Sequence, residues 1–224
     1  MIYLFLKRIF DIIVSLVFIL IFSPVFVIII IILRFTGEGE VFYLQKRIGK
    51  NLKEFQIIKF ATMVKDSPNI GTGSITLKND VRVLPFGRFL RKSKLNEITQ
   101  VINVLIGNMS IVGPRPQMKV DFIKFPPETR NSIFLSKPGI TGIGSIIFRD
   151  EENWISNYEG DKHYFYKNKI APYKTELELW YLNNKSLLVD IILVFCTAHV
   201  IAFPKSKLVY KFFKNLPLRP KHLI

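Results

Sequence analysis

One cysteine (Cys196), three histidines and seventeen acidic residues are all that this 224-residue chain holds of the groups that build disulfides, zinc clusters and anionic surfaces. The lone cysteine excludes an internal disulfide framework and any cysteine-cluster zinc site. It also points to a reducing compartment, so the globular part is expected in the cytosol. His163 and His199 stand too isolated to suggest a metal site or a catalytic base. Internal repeats and low-complexity tracts are absent, and the length suits one domain with a sizeable core.

Against the scarce acids stand 32 lysines and arginines, a formal net charge of +15. Such a balance attracts something anionic, with nucleic acid and anionic phospholipid as the usual partners. The hydrophobic share of 49% and mean hydropathy of +0.27 are high for a soluble protein and low for a multi-span transporter. One membrane element plus a globular part fits best. Nucleic-acid binding leaves the long apolar run of the N-terminus unexplained.

That run covers residues 12–33 without a charge, about the length a helix needs to cross the hydrocarbon layer. No A-x-A-like site follows it, which argues against a signal peptide. Two features oppose a simple crossing. Ser23-Pro24 sits mid-run, where proline removes a backbone donor and kinks a helix. Lys7 and Arg8 precede the run and Arg34, Lys46, Arg47, Lys50 and Lys53 follow it, so the positive-inside tendency pulls both ends to the cytoplasm. A re-entrant helix hairpin satisfies both flanks, with Ser23 bonding a carbonyl freed by the proline. A Pro-kinked span is the alternative. Asp11, one turn after Lys7 and Arg8, is placed to pair with either, or to form an ordinary surface ion pair.

Beyond Gly39, residues 41–45 and 55–60 read as short strands joined by a basic turn near Gly49. Residues 67–79 read as an irregular loop. Residues 95–105 carry Leu95, Ile98, Val101, Ile102 and Leu105 at helical spacing, with Ser93 or Asn96 as candidate N-cap and Glu97 in the first turn. Residues 107–116 end that helix and enter a stiff turn holding Arg115 between two prolines, a geometry that suits bidentate recognition of phosphate. A second glycine-proline turn covers residues 137–142. The acid run Asp150, Glu151 and Glu152 follows; it is either solvated charge or, beside a phosphate site, a place for magnesium.

Residues 187–203 are apolar but interrupted by Asp190 and His199, which favours a helix packed on the domain or lying at the interface over a second span. Residues 205–224 carry Lys205, Lys207, Lys211, Lys214, Arg219 and Lys221 among apolar residues and no acid. That is the composition of a membrane-surface segment, with a basic solvated tail as the alternative. The expected division is a membrane element over 1–36, a cytoplasmic domain over 37–204 and a basic amphipathic tail over 205–224.

Several segments, taken in order, resemble the bacterial sugar transferase family, the monotopic phosphoglycosyl transferases that begin glycan assembly on undecaprenyl phosphate. They are Lys7-Arg8-x-x-Asp11 with Ser23-Pro24, Phe42-x-x-Gln45-x-Arg47-x-Gly49, Phe55-x-x-x-Lys59-Phe60-x-Thr62-Met63, Asp80-x-Arg82, Gly87-Arg88-Phe-Leu-Arg91-Lys92, Asn96-Glu97, Asn103-Val-Leu-x-Gly107, Met109 to Pro116 and Pro138-Gly-Ile-Thr-Gly142. The resemblance implies an α/β fold: a re-entrant membrane hairpin on a small cytoplasmic α/β domain with amphipathic interface helices. It implies a UDP-sugar and undecaprenyl phosphate as substrates, a magnesium ion, and a two-step reaction in which a carboxylate attacks the β-phosphate and releases UMP. Residue by residue, Glu97 matches the acidic magnesium ligand, Arg115 a phosphate-binding arginine and Lys59 a family lysine near the site. Arg88, Arg91 and Lys92 supply positive potential, Asp80-x-Arg82 belongs to the substrate region, and Glu178 stands where the family usually has aspartate.

One departure bears on mechanism. The family's nucleophile is the aspartate of an Asp-Glu pair, and here that position is Asn96, whose amide has no anionic oxygen to attack phosphorus. Ala61, Thr99 and the segment after Gly142 also depart from the pattern. Three accounts follow: Glu97 is the nucleophile, an acid among Asp150, Glu151 and Glu152 supplies the carboxylate, or the chain is a catalytically impaired scaffold of the same fold. The sugar, the glycan pathway it feeds, and homo-oligomerisation are left open.

Overall fold

The computed structural model describes residues 2–70 and 80–220. The chain opens with α1 (Ile2–Phe35), a helix of 34 residues with Pro24 inside it. A helix of that length measures about 51 Å. The amide that proline lacks would have bonded the carbonyl four residues back, on Leu20; Ser23 Oγ donates to that carbonyl at 3.0 Å. The middle of α1 is bare, with Leu20 76% and Ile21 64% exposed. Its buried positions lie toward the two ends, at Asp11 and Ser15 and again at Ile29 and Leu33.

Two strands follow, β1 (Phe42–Ile48) and β2 (Glu54–Phe60), paired antiparallel around the turn at Lys50–Leu52. Next come α2 (Pro85–Lys92), a single 3-10 turn at Leu95–Glu97 and α3 (Gln100–Ile106). The anticipated N-cap is not formed. Ser93 Oγ instead donates to Phe89 O, closing α2, and the turn is entered through Lys94 in the left-handed region, φ 60°. Gly107 ends α3 at φ 100°, a conformation only glycine adopts without strain.

The edge of β2 is finished by side chains of this helical segment. Asn103 Oδ1 accepts from the Ile58 amide at 2.9 Å, Asn103 Nδ2 donates to Gln56 O at 2.7 Å, and Thr99 Oγ1 donates to Ile58 O at 2.8 Å. Three polar groups thus stand in for a neighbouring strand, fixing the register of the 3-10 turn against β2.

Then come β3 (Ser110–Val112), α4 (Lys119–Phe122), α5 (Pro127–Ile133) and β4 (Gly139–Thr141), with β4 parallel to β3. A side-chain carbon at Gly139 would collide with the Gly113 backbone, so this glycine lets the turn that holds Arg115 touch the turn at 137–142. The remainder is helical: α6 (Ile143–Ile147), α7 (Glu151–Asn157), α8 (Lys162–Phe165), a π-helical turn at Tyr166–Ile170, α9 (Ala171–Asn184), α10 (Leu187–Ala202) and α11 (Leu208–Phe212). The main core joins Val104, Met109 and Val112 to Ile143, Ile147, Tyr173, Leu177, Tyr181, Leu193 and Cys196.

The N-terminal half of α1 is bolted to this core by charge. Asp11 is buried and pairs with neither Lys7 nor Arg8; it accepts from Ser110 Oγ at 3.0 Å and from the Ile111 amide at 2.9 Å, anchoring β3. Lys7 pairs with Asp190 of α10 at 2.7 Å, and Tyr3 and Tyr181 donate to the same carboxylate. Arg8 donates to Val104 O at 2.6 Å and Leu105 O at 2.8 Å, satisfying the open carbonyls at the end of α3.

Asp190 is therefore an internal anchor of α10, which turns Leu193, Cys196 and Val200 inward and leaves Leu188, Phe195 and Ile201 exposed. The tail is amphipathic and packs one face on the domain: Val209, Phe213 and Leu216 are buried, while Lys205, Lys207, Lys211 and Lys214 face out. Residues 71–79 of the anticipated loop and residues 221–224 of the tail, with Lys221, lie outside the described residues.

Candidate functional site

The pairing of β1 with β2, and the side-chain edge supplied by Asn103 and Thr99, bring Lys59 of β2 opposite Glu97. Their Nζ and Oε1 atoms are 2.9 Å apart. The stiff Pro114-Arg115-Pro116 turn delivers Arg115 Nη2 to the same oxygen at 3.4 Å. These three side chains lie in the floor of a polar cavity of about 630 Å3 that also takes in Arg47, Arg91, Lys94, Asn96, Glu151 and Lys174. A volume of that size suits a small ligand.

The electrostatics favour holding phosphate. Burial would raise the Glu97 carboxyl, but the Lys59 ammonium and the Arg115 guanidinium outweigh it and hold the group well below the usual carboxylate range. Burial pushes the Lys59 ammonium down to about 8 against the opposing pull of Glu97. Glu97 in turn raises Arg115. Arg47 is pushed down to about 10, first by burial and then by Arg115. One carboxylate thus sits among several cations, leaving excess positive charge for phosphate oxygens.

Asn96 is buried at the cavity wall and its Oδ1 has no partner among the described residues. Of the acid run, Glu151 lines the cavity, with both carboxylate oxygens on Lys174 Nζ at 2.6 and 2.7 Å. Asp150 is exposed outside the lining, and the side chain of Glu152 lies outside what the structure describes.

The remaining sequence candidates scatter. Arg91 lines the cavity, whereas Arg88 and Lys92 are exposed on α2 and outside its lining. Arg82 is buried and donates to Asp80, to Ser67 O and to Ile70 O, clamping the base of the loop. Glu178 is buried on α9, facing a second cavity instead; burial raises its carboxyl to about 8, with Lys174 and the Arg115 amide opposing.

That second cavity, of about 550 Å3, has mostly apolar walls from Val14 and Phe18 of α1, Ile98 and Val101, and Val194 and Ile201 of α10. Lys94, Glu97, Arg115, Gln117, Glu151 and Lys174 border both cavities. Lys174 and Gln117 were not legible as site residues, because a lysine inside a helix and a glutamine after a proline carry no signal of their own. Arg47 could have been found from Gln45-x-Arg47, which puts both side chains on one strand face; Arg47 Nη2 donates to Gln45 Oε1 at 2.5 Å.

Among the described residues no group of three or more His, Cys, Asp or Glu is placed to hold a metal ion. Glu97, whose two ion pairs both end on Oε1, is the cavity carboxylate that would hold magnesium through its other oxygen, with substrate phosphates completing the shell.

Known proteins match this chain along most of its length. Residues 2–204 match the family model described as bacterial sugar transferase. The exopolysaccharide production protein ExoY of Rhizobium meliloti is 30% identical over 214 residues, 89% of this chain and 87% of its own length. The UDP-N-acetylgalactosamine-undecaprenyl-phosphate N-acetylgalactosaminephosphotransferase of Aeromonas hydrophila is 31% identical over 202 residues, 89% of this chain and 44% of its own. The undecaprenyl-phosphate galactose phosphotransferase of Salmonella typhimurium is 30% identical over 211 residues, 88% and 40% respectively. The chain thus spans most of the first relative and less than half of the other two. With nearly its whole length matched, the protein belongs to the bacterial sugar transferase family.

Proposed function

We propose that this chain transfers a sugar 1-phosphate from a UDP-sugar to undecaprenyl phosphate and releases UMP, as a first step in building a surface polysaccharide. The observation that carries this reading is the Lys59–Glu97–Arg115 cluster, which lies where a polar cavity meets an apolar one. A donor made of nucleotide, diphosphate and sugar needs a polar, cationic site. An acceptor made of phosphate and isoprenoid needs an apolar site ending in cations. The name of the Aeromonas relative carries both substrate classes, and that of the Salmonella relative carries undecaprenyl phosphate and galactose.

In this reading Arg115 and Lys59 neutralise charge on the phosphates through the loose, in-line transition state of phosphoryl transfer. Glu97 orients both cations and, with substrate phosphates, would hold magnesium, which would supply further neutralisation of phosphate charge. Arg47, Arg91 and Lys94 add positive potential along the polar cavity.

The membrane arrangement belongs to the same proposal: α1 dips into one leaflet and returns, leaving the domain on the cytoplasmic face. Arg8 meets one end of the 95–105 segment, at Val104 and Leu105, while Ile29 and Leu33 share a cluster with Leu95 and Ile98 at the other. A straight helix separates positions 8 and 33 by about 37 Å, roughly twice the span of that segment. A bend at Ser23-Pro24 reconciles the two. The exposed Phe195, Ile201, Phe203 and Phe212, with Lys207 and Lys211 nearby in sequence, suit a surface resting on anionic headgroups.

Incubating the purified full chain with undecaprenyl phosphate and a panel of radiolabelled UDP-sugars tests the assignment. Labelled lipid and UMP should form together with one of them; neither product from any common UDP-sugar refutes it. The second reading, an impaired scaffold, draws on Asn96 alone. A sharp gain of activity in Asn96→Asp from a silent wild type would favour it.

A further inference from the structure

The Lys59–Glu97–Arg115 cluster occupies only part of the polar cavity. Tyr43, Gln45 and Arg47 line it from one face of β1, and Tyr43 lies across the ladder from Lys59. The strand therefore carries the cavity about 13 Å from the level of Lys59 to Arg47. Just past that end α4 begins: Arg47 Nη1 donates to Pro116 O and Gln45 Nε2 to Met118 Sδ, both at 3.3 Å. Here a second group of lining residues gathers, Asp121 of α4, Lys124 just after it, Glu151 of α7, Tyr166 and Lys174 of α9.

The group consists of two ion pairs set on one ring. Lys124 Nζ meets Asp121 Oδ1 at 2.9 Å, and Lys174 Nζ meets the two oxygens of Glu151 at 2.6 and 2.7 Å. The same two ammonium nitrogens lie over the Tyr166 ring, 5.3 and 5.1 Å from its centroid. Tyr166 is itself 8% exposed, and Lys174 Nζ also lies over the Phe148 ring at 5.1 Å. Each ammonium is thus held by a carboxylate and by aromatic rings, which fixes its position.

This end of the cavity suits a sugar better than a base or a phosphate. A base stacks on a free aromatic face, whereas two ammonium groups cover the Tyr166 ring. A phosphate needs surplus positive charge, and here two carboxylates offset two ammonium groups. A sugar hydroxyl both donates and accepts a hydrogen bond, and a carboxylate beside an ammonium offers it one of each. An acidic sugar would bring its own carboxylate up to Asp121 and Glu151.

Resting on the transferase reading above, we propose that the Asp121–Lys124 and Glu151–Lys174 pairs, set around Tyr166, form the sugar subsite of the donor and select an uncharged sugar by the orientation of its hydroxyls. The diphosphate lies at Lys59, Arg115 and Arg47, and the sugar points toward α4 and α7. Glu151, clamped through both oxygens, does not turn to follow a hydroxyl on the other side of the sugar ring. The wrong epimer leaves a desolvated polar group unpaired, which is how sites of this kind discriminate.

The test uses the full chain in nanodiscs of neutral phospholipid containing undecaprenyl phosphate. The donors are UDP-sugars that differ at one ring position, with UDP-glucuronic acid as the charged member. One uncharged sugar should exceed its epimer by about tenfold or more in kcat/KM, and UDP-glucuronic acid should be the poorest donor. Asp121→Asn and Glu151→Gln should each raise the KM for the preferred donor about tenfold and shrink its advantage over the epimer. UMP, which has no sugar, should inhibit all three proteins with constants within twofold of one another, and that constant also reports an intact fold.

A UMP constant that weakens in step with KM in Asp121→Asn, which lies on a short helix with no buried residue, assigns the lobe to the nucleotide and overturns the proposal. So does an epimer preference that neither variant alters, or UDP-glucuronic acid as the best donor. Loss of turnover with every donor alike in Glu151→Gln, with UDP-sugar binding unchanged, places Glu151 in the chemistry and overturns its part in selection. Each of these results leaves the transferase assignment standing. No turnover of any UDP-sugar by the parent chain sinks that assignment and the subsite with it.

Discussion

Lys59 of β2 donates to Glu97 Oε1 at 2.9 Å, although 38 positions separate them in sequence. The contact exists because Asn103 and Thr99 bond the edge of β2 and so set the 3-10 turn beside it. Glu97→Gln should lower turnover by about 10²–10³-fold, the usual cost of removing one preorganised electrostatic partner. Circular dichroism should show the fold retained, and a variant within twofold of wild type would place the chemistry elsewhere.

Burial lowers the Lys59 ammonium to about 8, so its charge is lost within the working range. Below that pH it is cationic and helps hold phosphate; above it, phosphate binding weakens. The KM for UDP-sugar should therefore rise as pH passes upward through about 8. Lys59→Arg should move that rise to higher pH, since a guanidinium keeps its proton. A KM profile identical in the two proteins would assign the ionisation to another group.

Glu178 is pushed up to about 8 by burial. Its folded value lies above the unfolded one, so the stability it contributes is present at low pH and is lost as pH rises from about 5 toward its folded value. Glu178→Gln cannot ionise and should not show that loss. Thermal unfolding in detergent at several pH values reads the difference. A Tm that falls equally with pH in both proteins would rule out Glu178 as the cause.

Asp11 joins α1 to β3 through Ser110 Oγ and the Ile111 amide. Asp11→Ala leaves two buried donors unpaired and should cost about 2–4 kcal/mol. Asp11→Asn keeps an acceptor and should cost less. Urea titration in detergent orders the three proteins, and equal stability of the alanine variant would show that the anchor is not needed.

Single cysteines at Ile2 and Thr36, in a Cys196→Ser background, report the course of α1. Both should react with a membrane-impermeant maleimide only after the cytoplasmic side is opened. Replacing Ser23 and Pro24 with alanine removes the proline kink and should carry one label to the opposite side. Labels on opposite sides in the parent chain would mean a spanning helix.

Much of the local structure was legible from residue order alone. The uncharged 12–33 run, the period-two strands at 41–45 and 55–60, and the helical spacing from Leu95 each reflect a short-range rule of chain geometry. The bond between Ser23 and Leu20 O follows equally from proline chemistry, because donor and acceptor lie three residues apart. Lys59, Glu97, Asn96 and Arg115 were recognisable through ordered motifs. Their meeting was not, since it depends on long-range pairing of β1 with β2 and of β3 with β4.

Burial and partnership were decided only by the tertiary structure. Asp11 looks like a surface partner of Lys7 and Arg8 by spacing, yet the packing of α1 on β3 turns it inward. Arg82 and Asp80 look like substrate residues by motif, yet they clamp a loop, and Lys174 has no sequence signal but holds Glu151. The sequence by itself determined that the chain carries a long uncharged apolar run, a strongly basic charge balance and an asparagine at position 96. The tertiary structure decided which charges face one another and that two cavities share one wall, because both depend on distances between residues that chain order leaves free.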